Sequence, residues 1–381
     1  MEKKDKNLNV PNLRFPEFSG EWKAVPLSTI ADIIGGGTPD TSVDEYWGGN
    51  IQWFTPSEIG KGKYAYLSDR TITEAGLKNS SAKLLPQGTV LLSTRATIGE
   101  CSIATTECTT NQGFQSLVAK ENNVSSEFLY YIVAKIKREM LRRSCGSTFL
   151  EISANELKKI HTNIPSKAEQ EKLVSLLSLI DQRIETQKKI IEKYESLIRG
   201  FYQFLFQQAK YDHFVSLGDI SQISNGNSDV KDASMYNDGS LYPFFDRSDE
   251  IKFLPEYLFD KEAIIYPGEG AEFYPRYYNG KFALHQRCYA VYDISTDFIP
   301  RYLYHYCKTQ NSYFVRNAVG STVASLRLDT FKRLKIPAIP THHQESLVMF
   351  LDKIEAKIEC NRTILKKYEE QKKYLLFTLF I

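Results

Sequence analysis

Two stretches of the chain carry the same helical pattern: KLVSLLSLIDQRIETQKKIIEKYESLIRGFYQFLF at residues 172–206 and SLVMFLDKIEAKIECNRTILKKYEEQKKYLLFTLF at residues 346–380. In both, mostly apolar residues recur at alternating spacings of four and three, which is the seam of a coiled-coil helix. At about 1.5 Å per residue, such a helix is a rod of roughly 50 Å. The pattern therefore predicts two long helices that pack on each other. The seam positions are Leu173, Leu177, Ile180, Ile184, Gln187, Ile191, Tyr194, Ile198, Phe201 and Leu205 in the first stretch, and Leu347, Leu351, Ile354, Ile358, Asn361, Leu365, Tyr368, Lys372, Leu375 and Leu379 in the second.

Gln187 and Asn361 interrupt the two seams at the same central layer. A buried polar pair at such a layer fixes the register of a coiled coil at some cost in stability. We expect the two side chains to hydrogen-bond to each other or to share a water molecule. The alternative is that they are two unrelated interruptions that face solvent.

The similarity extends beyond the two helical stretches, so the whole chain is predicted to be a duplication. A shift of 174 residues places Gln170 on Gln344 without a gap, and nearer the start a shift of 190 places Gly36 on Gly226. The two shifts differ by 16 residues, which is the net number that the second copy has lost. Each copy therefore consists of a variable globular portion followed by a similar helix.

Each globular portion mixes strand and helix signals, which predicts an α+β fold in tandem repeat. Short apolar runs at residues 89–93 and 263–266 are typical of buried strands, and residues 125–143 and 297–313 have helical patterns. Prolines suit a helix start, and one closes each globular portion. The predicted organisation is an N-terminal leader at residues 1–21, globular domains at 22–165 and 210–340, and helical spacers at 166–209 and 341–381.

The composition is that of a folded protein, with 42% hydrophobic and 25% charged residues. The 48 Lys and Arg residues against 46 Asp and Glu residues leave a net charge of +2, which excludes a polybasic mode of nucleic-acid binding. The six cysteines have no metal-binding or disulfide spacing, so we expect reduced and mostly buried thiols. No stretch approaches the roughly 18 apolar residues of a membrane helix, so we expect a cytoplasmic protein without a membrane partner.

The chain has none of the spacings that mark a phosphate-binding loop, a dinucleotide fold, a zinc protease or a nucleophile elbow. The three glycines at residues 35–37 indicate a turn, because no helix with a lysine follows them. His342 and His343 are adjacent at a helix start and point to different sides, which favours a solvated pair over a metal site. We therefore predict no catalytic residue and no metal ligand in this chain.

Polar and aromatic side chains of the kind that contact DNA bases occur in the loops of both globular portions. Arg can form two hydrogen bonds with guanine, and Asn or Gln can do so with adenine. Each of these residues alone also fits an ordinary surface or packing role, and the basic cluster that includes Arg142 and Arg143 fits either phosphate contacts or a solvated helix face. The candidate DNA-binding residues are Thr38, Trp53, Thr55, Ser57, Ser93, Arg95, Thr97, Asn111, Gln112, Arg142 and Arg143 in the first copy, and Arg247, Tyr274, Arg276, Lys281, His285, Gln286 and Arg287 in the second.

Several runs of the sequence resemble those of the specificity subunits of type I restriction-modification systems. The run PNLRFPEF at residues 11–18, followed by Trp22, is similar to the N-terminal leader of that family. The runs GGGTP at residues 35–39 and IQWFTPSEI at residues 51–59 resemble a segment of its target-recognition domains. The second copy departs from this pattern, with SNGN and YPFFDR in the corresponding places.

This resemblance implies a protein that performs no catalysis and holds two target-recognition domains apart on an antiparallel coiled coil of two conserved helices. Each domain would contact one half of a split, asymmetric site on double-stranded DNA. The helices would dock two modification subunits, which bring S-adenosylmethionine and methylate adenine. They would also dock restriction subunits, which bring ATP and magnesium for translocation and cleavage, so this chain would bind no cofactor itself.

Two other functions stay open on the sequence. A coiled-coil scaffold would use its globular portions to bind protein, and it would lack the steep salt dependence of DNA binding. A self-contained nuclease or methyltransferase is disfavoured, because no catalytic constellation is visible in the sequence.

Overall fold

The computed structural model describes residues 9–146, 150–208 and 211–381, and of residues 207 and 208 it describes the backbone alone. The chain forms two compact units, one from Met1–Lys189 with Thr363–Ile381 and the other from Ile190–Arg362. The domain boundaries predicted from the sequence stay a prediction. Residues 1–8 of the predicted leader and the boundary positions 209 and 210 lie outside the described residues.

The first unit combines three small sheets with helices. Its strands are β1 (Lys23–Pro26), β2 (Ala31–Gly35), β3 (Trp47–Phe54), β4 (Tyr64–Ala65), β5 (Arg70–Ile72), β6 (Val90–Leu92), β7 (Cys101–Ala104), β8 (Cys108–Thr110), β9 (Gln115–Ala119) and β10 (His161–Ile164). Its helices are α1 (Leu27–Ile30), α2 (Glu74–Lys78), α3 (Ser126–Arg143), α4 (Ala154–Lys159) and the first part of α5 (Lys167–Tyr202), with a 3₁₀ turn at Asp44–Tyr46. The sheets have the orders β2-β9-β6-β7-β4, β5-β3-β8 and β1-β10.

The helix α3 lies at the centre of the core of the first unit. It begins after Ser125, whose Oγ accepts a hydrogen bond from the backbone N–H of Phe128 at 3.2 Å and caps the helix. Phe128 and Ile132 are four residues apart on one helix face, and both are fully buried. They share a hydrophobic cluster with Leu173 of α5 and with Phe380 near the end of the chain, so the long helices are part of this core.

The second unit is built around one larger sheet. Its strands are β11 (Phe214–Ser216), β12 (Gln222–Asn225), β13 (Tyr242–Phe245), β14 (Lys252–Leu254), β15 (Phe259–Pro267), β16 (Arg276–Leu284), β17 (Cys288–Tyr292) and β18 (Lys335–Pro337). Its helices are α6 (Leu217–Ile220), α7 (Pro300–Lys308), α8 (Asn311–Asn317), α9 (Leu328–Lys332) and the first part of α10 (Thr341–Leu379), with a π-helical segment at Gln203–Gln208 and a 3₁₀ turn at Val230–Asp232. The sheets have the orders β12-β17-β15-β16-β13-β14 and β11-β18.

The predicted strands and helices are confirmed in type, with one difference. Residues 89–93 contain β6, residues 263–266 lie within β15, and residues 125–143 contain α3. Residues 297–313 hold two helices instead of one, because the chain leaves the helix at Thr309. The Thr309 hydroxyl donates to the Tyr306 carbonyl at 2.7 Å, and such local bonds compete with helix continuation.

Strand pairing repeats between the units with the same offsets as the sequence. In the first unit β1 pairs with β10, with Ala24 opposite Asn163. In the second unit β11 pairs with β18, with Phe214 opposite Pro337, and these positions follow from the shifts of 190 and 174. The pairs β2 with β9 and β12 with β17 are related in the same way. The duplication in the sequence is therefore a duplication of the fold.

In each unit the two long helices run antiparallel. In the first unit, Lys372 pairs with Asp181 at 2.6 Å, and about two turns later on α5 Lys188 lies 3.9 Å from Glu369. Residue numbers thus rise along α5 as they fall along α10. In the second unit, Arg362 pairs with Glu195 at 2.7 Å, and the Phe201 and Phe350 rings lie 4.6 Å apart between centroids.

The residues of the predicted polar layer both lie on the long helices. Gln187 is buried, with 8% of its surface exposed. Asn361 is half-buried, and its side-chain amide donates to the Lys357 carbonyl one turn earlier at 2.6 Å. The two residues belong to different compact units, and their pairing stays a prediction.

Two features of the composition have structural counterparts. All six cysteines are free thiols, and four of them are buried, as expected from the sequence. Among the described residues, no helix combines the length and the hydrophobicity that crossing a membrane requires.

A buried glutamine fastens the start of α5 to the globular part of the first unit. The Gln170 side-chain amide donates to the carbonyls of Asn123 and Pro165, at 3.0 and 3.1 Å. Only 4% of Gln170 is exposed, so water does not replace these bonds easily.

Gln344 makes the same bonds at the start of α10. Its amide donates to the carbonyls of Asp297 and Ile339, both at 2.9 Å, and these residues are the counterparts of the two acceptors in the first unit. Its side-chain oxygen also accepts the backbone N–H of Ile299 at 2.8 Å, and the residue is fully buried. One amide thus satisfies three backbone groups that have no strand or helix partner.

Replacing Gln344 with Ala is expected to destabilise the second unit. A buried polar group left without a partner costs about 1–3 kcal/mol, and this substitution leaves three. Denaturant unfolding, followed with hydrogen exchange in the first turn of α10, would measure the loss. Gln170→Ala is the matched variant in the first unit. An unfolding midpoint equal to that of the unsubstituted protein would contradict the role given to this amide.

Candidate nucleic-acid interface

Four loops of the first unit are held against one another by backbone hydrogen bonds. Because β3 and β8 run parallel, the loops that follow them begin side by side. We call residues 36–38, 53–57, 94–97 and 111–113 loop surface 1. The connecting bonds are Gly37 N to Thr110 O at 2.8 Å, Asn111 N to Phe54 O at 3.1 Å, and Thr94 N to Gly113 O at 2.9 Å.

The glycine turn predicted at residues 35–37 serves this loop packing. A Cβ on Gly36 would collide with the carbonyl oxygens of Thr110 and Asn111. Its counterpart in the second unit, Gly226, would collide in the same way with the carbonyl oxygen of Leu284. Only glycine permits so close an approach between two backbones, so this position is required by the fold in both copies.

Loop surface 1 contains most of the candidate residues of the first copy. The Thr38 hydroxyl donates to the side-chain oxygen of Gln112, which is exposed. The hydroxyls of Thr55 and Ser57 lie 3.0 Å apart, and Ser57 is exposed. The Asn111 side-chain oxygen accepts the Gly113 N–H at 2.9 Å, so it shapes the loop and is only half-exposed.

Two candidates of this set are buried, and their role as DNA contacts stays a prediction. Trp53 is 6% exposed, and its Nε1 donates to the Gly37 carbonyl at 2.9 Å. Ser93 is fully buried, and its hydroxyl lies 3.0 Å from that of Thr97. In this structure Trp53 and Ser93 hold the loops that present Thr38 and Thr97.

The segment around Arg95 is held in an unusual backbone conformation. Ala96 has a φ of 62°, in the left-handed region that non-glycine residues rarely adopt. Such a conformation costs of order 1–3 kcal/mol and persists only where the surroundings impose it. Here the Thr97 N–H donates to the Arg95 carbonyl at 2.7 Å, and the Arg95 guanidinium pairs with Glu151 at 2.6 Å. The Arg95 side chain thus lies against Glu151.

Arg142 and Arg143 lie on the last turn of α3. They form ion pairs with acidic residues of α3 and α4. Arg142 contacts Glu139 at 2.9 Å, and Arg143 contacts Glu139 at 2.6 Å and Glu156 at 3.3 Å. Hydrogen bonds from the two arginines keep the pKa of Glu139 below its usual value. These arginines lie outside loop surface 1, and their phosphate-binding role stays a prediction.

The second unit has the same arrangement of loops, which we call loop surface 2 (residues 226–228, 245–247, 268–270 and 285–287). The parallel pairing of β13 with β16 again places two loops side by side. The loop at residues 285–287 is joined to the loop at residues 268–270 by an ion pair of Arg287 with Glu269 at 2.8 Å. The connecting bonds are Asn227 N to Leu284 O at 3.1 Å, His285 N to Phe245 O at 3.0 Å, and Gln286 N to Ser228 O at 3.0 Å.

Loop surface 2 brings four of the seven candidates of the second copy together. Arg247, His285, Gln286 and Arg287 line one cavity of about 250 Å³. The Nδ1 atom of His285 accepts the Arg287 N–H at 3.1 Å, so the other ring nitrogen carries the proton of the neutral imidazole. Arg247 and Gln286 are exposed, and their side chains make no hydrogen bond or ion pair to another described residue.

The other three candidates of the second copy lie elsewhere. Tyr274 borders a groove next to the long helices. Arg276 donates to the Asp246 carbonyl, and its half-buried guanidinium lies over the Phe245 ring at 5.3 Å. Burial lowers the pKa of Arg276, and its Nη1 has no hydrogen-bond partner among the described residues. Lys281 lies 4.8 Å over the ring of Tyr257.

Equivalent positions of the two loop surfaces carry opposite charges. The shift of 174 places Glu269 where the first unit has Arg95, and Gly270 where it has Ala96. Both loops make the same isolated bridge, Arg95 with Glu151 and Glu269 with Ser325. One scaffold thus presents a cation in one unit and an anion in the other.

Glu151 and the structural role of Glu269 were missed by reasoning from sequence. Neither lies in a recognisable motif, and both act through partners distant in the chain: 56 residues for Arg95 and Glu151, and 18 for Glu269 and Arg287. Extending the shift of 174 residue by residue through the loops would have paired Arg95 with Glu269. That pairing is the only sequence signal for this exchange.

A buried polar network ties α7 to the two long helices within the second unit. His305 is fully buried; its Nε2 lies 2.8 Å from Asp352 and its Nδ1 2.9 Å from the Tyr202 hydroxyl. Burial lowers the pKa of His305, and the nearby carboxylates of Glu355 and Asp352 offset this only in part. In the first unit the counterpart of His305 is Tyr131.

The same residues include a possible set of metal ligands. Within the described residues, His305, Asp352 and Glu355 offer three ligand atoms within 4.8 Å of one another. Both carboxylates are already engaged by cations: Arg301 Nε donates to Asp352 at 3.1 Å, and Lys308 donates to Glu355 at 2.6 Å. Two fixed positive charges at this place oppose a metal ion, so the network fits a structural role better.

The fold is duplicated and carries two different loop surfaces, and comparison with known proteins gives the family of this chain. The model of the type I restriction modification DNA specificity domain matches residues 19–196 and 211–370. These matches cover most of the sequence, so the chain belongs to this family.

The similarity is also seen with individual proteins. The chain is 36% identical over 247 residues to the specificity subunit of the type I restriction enzyme MjaIX from Methanocaldococcus jannaschii, covering 59% of this chain and 57% of that one. It is 27% identical over 207 residues to the EcoR124I/EcoR124II specificity subunit from Escherichia coli, with half of each chain covered. The chain thus spans little more than half the length of these relatives.

One solved structure agrees along almost the whole chain. It is the S subunit of a type I restriction-modification system from M. genitalium, with a TM-score of 0.65 and coverage of 98% of this chain and 99% of that one. The sequence identity is 16%, so this likeness concerns the fold.

The His305 network predicts a pH dependence of stability. Because the pKa of His305 is lower in the fold than in the unfolded chain, the unfolded state binds more protons as the pH falls. The contribution of neutral His305 to the stability of the second unit is therefore expected to be complete above pH of about 6.5. It should decrease as the pH falls below that value. Thermal melting between pH of about 7.5 and 5.5 would measure it.

His305→Gln should flatten this pH profile, whereas replacing the exposed His213 of the same unit with Gln should leave it unchanged. A profile of the same steepness in His305→Gln would show that other groups cause the pH dependence.

Proposed function

We propose that this chain is a DNA-specificity subunit of a type I restriction-modification complex, in which each loop surface contacts one half of a split, asymmetric site. The observation that carries the proposal is the exchange of side chains on a repeated scaffold. Loop surfaces 1 and 2 share two of their connecting backbone hydrogen bonds and carry opposite charges at one pair of equivalent positions, Arg95 and Glu269. Two similar frames with different exposed groups suit the recognition of two different half-sites.

The exposed groups of both surfaces have the chemistry that direct contact with bases requires. Gln112 and Gln286 occupy equivalent positions and are both exposed. Arg247, which is exposed and forms no ion pair with a described residue, is suited to guanine or to phosphate. With a net charge of only +2, the chain relies on such local groups and on its partners for DNA affinity.

The proposed role includes no catalysis by this chain. Two modification subunits would supply S-adenosylmethionine and methylate adenine, and restriction subunits would supply the ATP- and magnesium-dependent steps. The proposed complex acts on DNA in the cytoplasm. The basis for these partners is the family to which the chain belongs, whose model describes a DNA specificity domain.

The long helices are proposed to form one antiparallel coiled coil that sets the gap between the half-sites. The antiparallel ion pairs in each unit support this, as does the seam that continues through both helices. A coiled coil has a fixed rise per residue, so its length can act as a ruler. Half-sites on one face of DNA recur about every 34 Å, one helical turn.

The central test is to map methylated adenines in a genome after co-expression with the modification subunit of the same system. The proposal expects a split, asymmetric motif with a fixed gap. A complex that forms and binds S-adenosylmethionine but adds no methylation to DNA would favour a protein-binding scaffold.

Gln112→Ala and Gln286→Ala are expected to act on different halves of the site. Loss of a bidentate base contact costs about 1–3 kcal/mol, or roughly 5- to 150-fold in affinity. Each variant should relax the base choice in its own half-site and leave the other unchanged. Binding to a library of half-site substitutions measures this, and each variant is the control for the other. Equal effects of both variants on both halves would refute modular recognition.

Inserting seven residues after Gln187, with a matched seven before Asn361, is expected to lengthen the gap and to keep both half-sites. One heptad preserves the seam, and it adds about 10 Å to the coiled coil. Methylation mapping reads the gap directly. A four-residue insertion at the same places is the control, because it rotates the seam and should disrupt assembly. An unchanged gap in the heptad variant would remove the ruler role.

A further inference from the structure

Each unit contains one large groove between its globular part and its pair of long helices. The volume is about 1000 Å³ in the first unit and about 1140 Å³ in the second. The shift of 174 relates their linings, with Tyr130 of the first groove matching Tyr304 of the second. We call them groove 1, whose lining includes Lys61, Tyr66, Tyr130, Arg138, Lys373 and Phe377, and groove 2, whose lining includes Arg199, Gln203, Arg301, Tyr304, Lys308 and Arg362.

The two grooves have similar volumes and equivalent lining positions but different charge. Among the described residues that line groove 1, seven are cationic and three anionic, which leaves a balance of +4. Groove 2 has four of each sign and no net charge. The difference arises at equivalent positions: Arg138 faces groove 1 where groove 2 has Ser312, and Lys372 lines groove 1 where groove 2 has Ile198.

Most cations of groove 2 are neutralised within the groove. Arg301 donates to Asp352, Lys308 pairs with Glu355 at 2.6 Å, and Arg362 pairs with Glu195 at 2.7 Å. Among its described cations, Arg199 alone has no ion pair.

Groove 1 keeps uncompensated positive charge. Lys61, Arg138 and Lys373 are exposed and form no ion pair with a described residue. The groove also exposes apolar surface: Tyr66 is 63% exposed and Phe377 is 70% exposed. In groove 2 the counterpart of Phe377 is Gln203. Exposed aromatic rings beside unpaired cations are typical of a surface that receives another molecule.

We propose that groove 1 binds an acidic segment with an apolar anchor on one copy of the modification subunit, and that groove 2 binds the same segment of a second copy without charge attraction. This inference rests on the proposed function and adds where the partner docks and how the two docking sites differ. Two identical partners then bind one chain unequally. Charge attraction strengthens the copy at groove 1 at low salt and is screened as salt rises.

A protein segment fits groove 1 better than nucleic acid does. Asp181, Glu185 and Glu369 also line the groove, and carboxylates repel a phosphate backbone. Lys372 is already paired with Asp181 at 2.6 Å, and so contributes little to phosphate binding. A repeated groove also suits a partner present in two copies, whereas the proposed half-sites differ from each other.

The test is to measure how many modification subunits bind the full chain at low and high salt, by native mass spectrometry and sedimentation. The unsubstituted chain should bind two copies, one of them weakened at least about tenfold between low and high salt. Arg138→Glu with Lys373→Glu should lose that copy already at low salt and keep the other. The control, Lys83→Glu with Lys158→Glu, makes the same change in net charge at exposed positions outside the grooves and should bind both copies.

A reciprocal variant makes the test independent of simple damage to the fold. Ser312→Arg places in groove 2 the cation that groove 1 has at the equivalent position. The copy bound at groove 2 should then bind more tightly at low salt and acquire salt dependence.

The outcomes separate this inference from the proposed function. If the unsubstituted chain binds no modification subunit, the proposed function fails. If it binds two copies and the Arg138→Glu, Lys373→Glu variant keeps both with the same salt profile, the groove assignment is overturned. It is equally overturned if that variant keeps both partners but loses affinity for DNA, since groove 1 would then be a nucleic-acid surface.

Discussion

The fold of each unit depends on how one buried amide joins a long helix to a globular portion. Gln170 and Gln344 stand at the first turn of α5 and α10, and each donates to two carbonyls that come from different segments. A buried carbonyl without a donor is costly, so these segments and the helix are fixed together. In both units, the equivalent contact thereby sets the direction in which the long helix leaves its globular portion. Because these contacts do not involve the exposed loops, the loops can vary without changing how the helix meets the globular portion.

That freedom is visible in the loop surfaces. Two of the backbone bonds that connect the loops recur, and so does the glycine at which two backbones meet, Gly36 in one unit and Gly226 in the other. The side chains that these loops expose do not recur. At the position of Ala96 the second unit has Gly270, whose φ of 148° is also positive and is adopted by glycine without strain. The first unit thus accepts a conformational cost next to Arg95 that glycine avoids in the second unit.

Much of this architecture could be predicted from the sequence, because it depends on periodicity and on self-similarity. The heptad seams predicted the long helices, and the shifts of 174 and 190 predicted the duplication, which the structure shows in the equivalent registers of β1 with β10 and of β11 with β18. The site was less predictable, because burial and partners decide the role of a polar residue. Trp53 and Ser93 have the chemistry of DNA-contacting residues and are enclosed by loops distant in sequence. Arg95 was found, but its partner Glu151 lies 56 residues away without a motif.

The charge difference between the grooves shows that the duplication has diverged on the helices as well as in the loops. At the position where the second unit has fully buried His305, the first unit has Tyr131, whose hydroxyl donates to Asp181 at 2.6 Å. The acid is retained as Glu355 in the second unit, while the surrounding cations change. In groove 2 these cations are consumed by internal ion pairs, which hold α7 on α10. In groove 1 the acid is contacted by Tyr131 and paired with Lys372, while Arg138 forms no ion pair with a described residue and so stays available to a partner. The duplicated frame therefore carries internal ion pairs in groove 2 and uncompensated positive charge in groove 1.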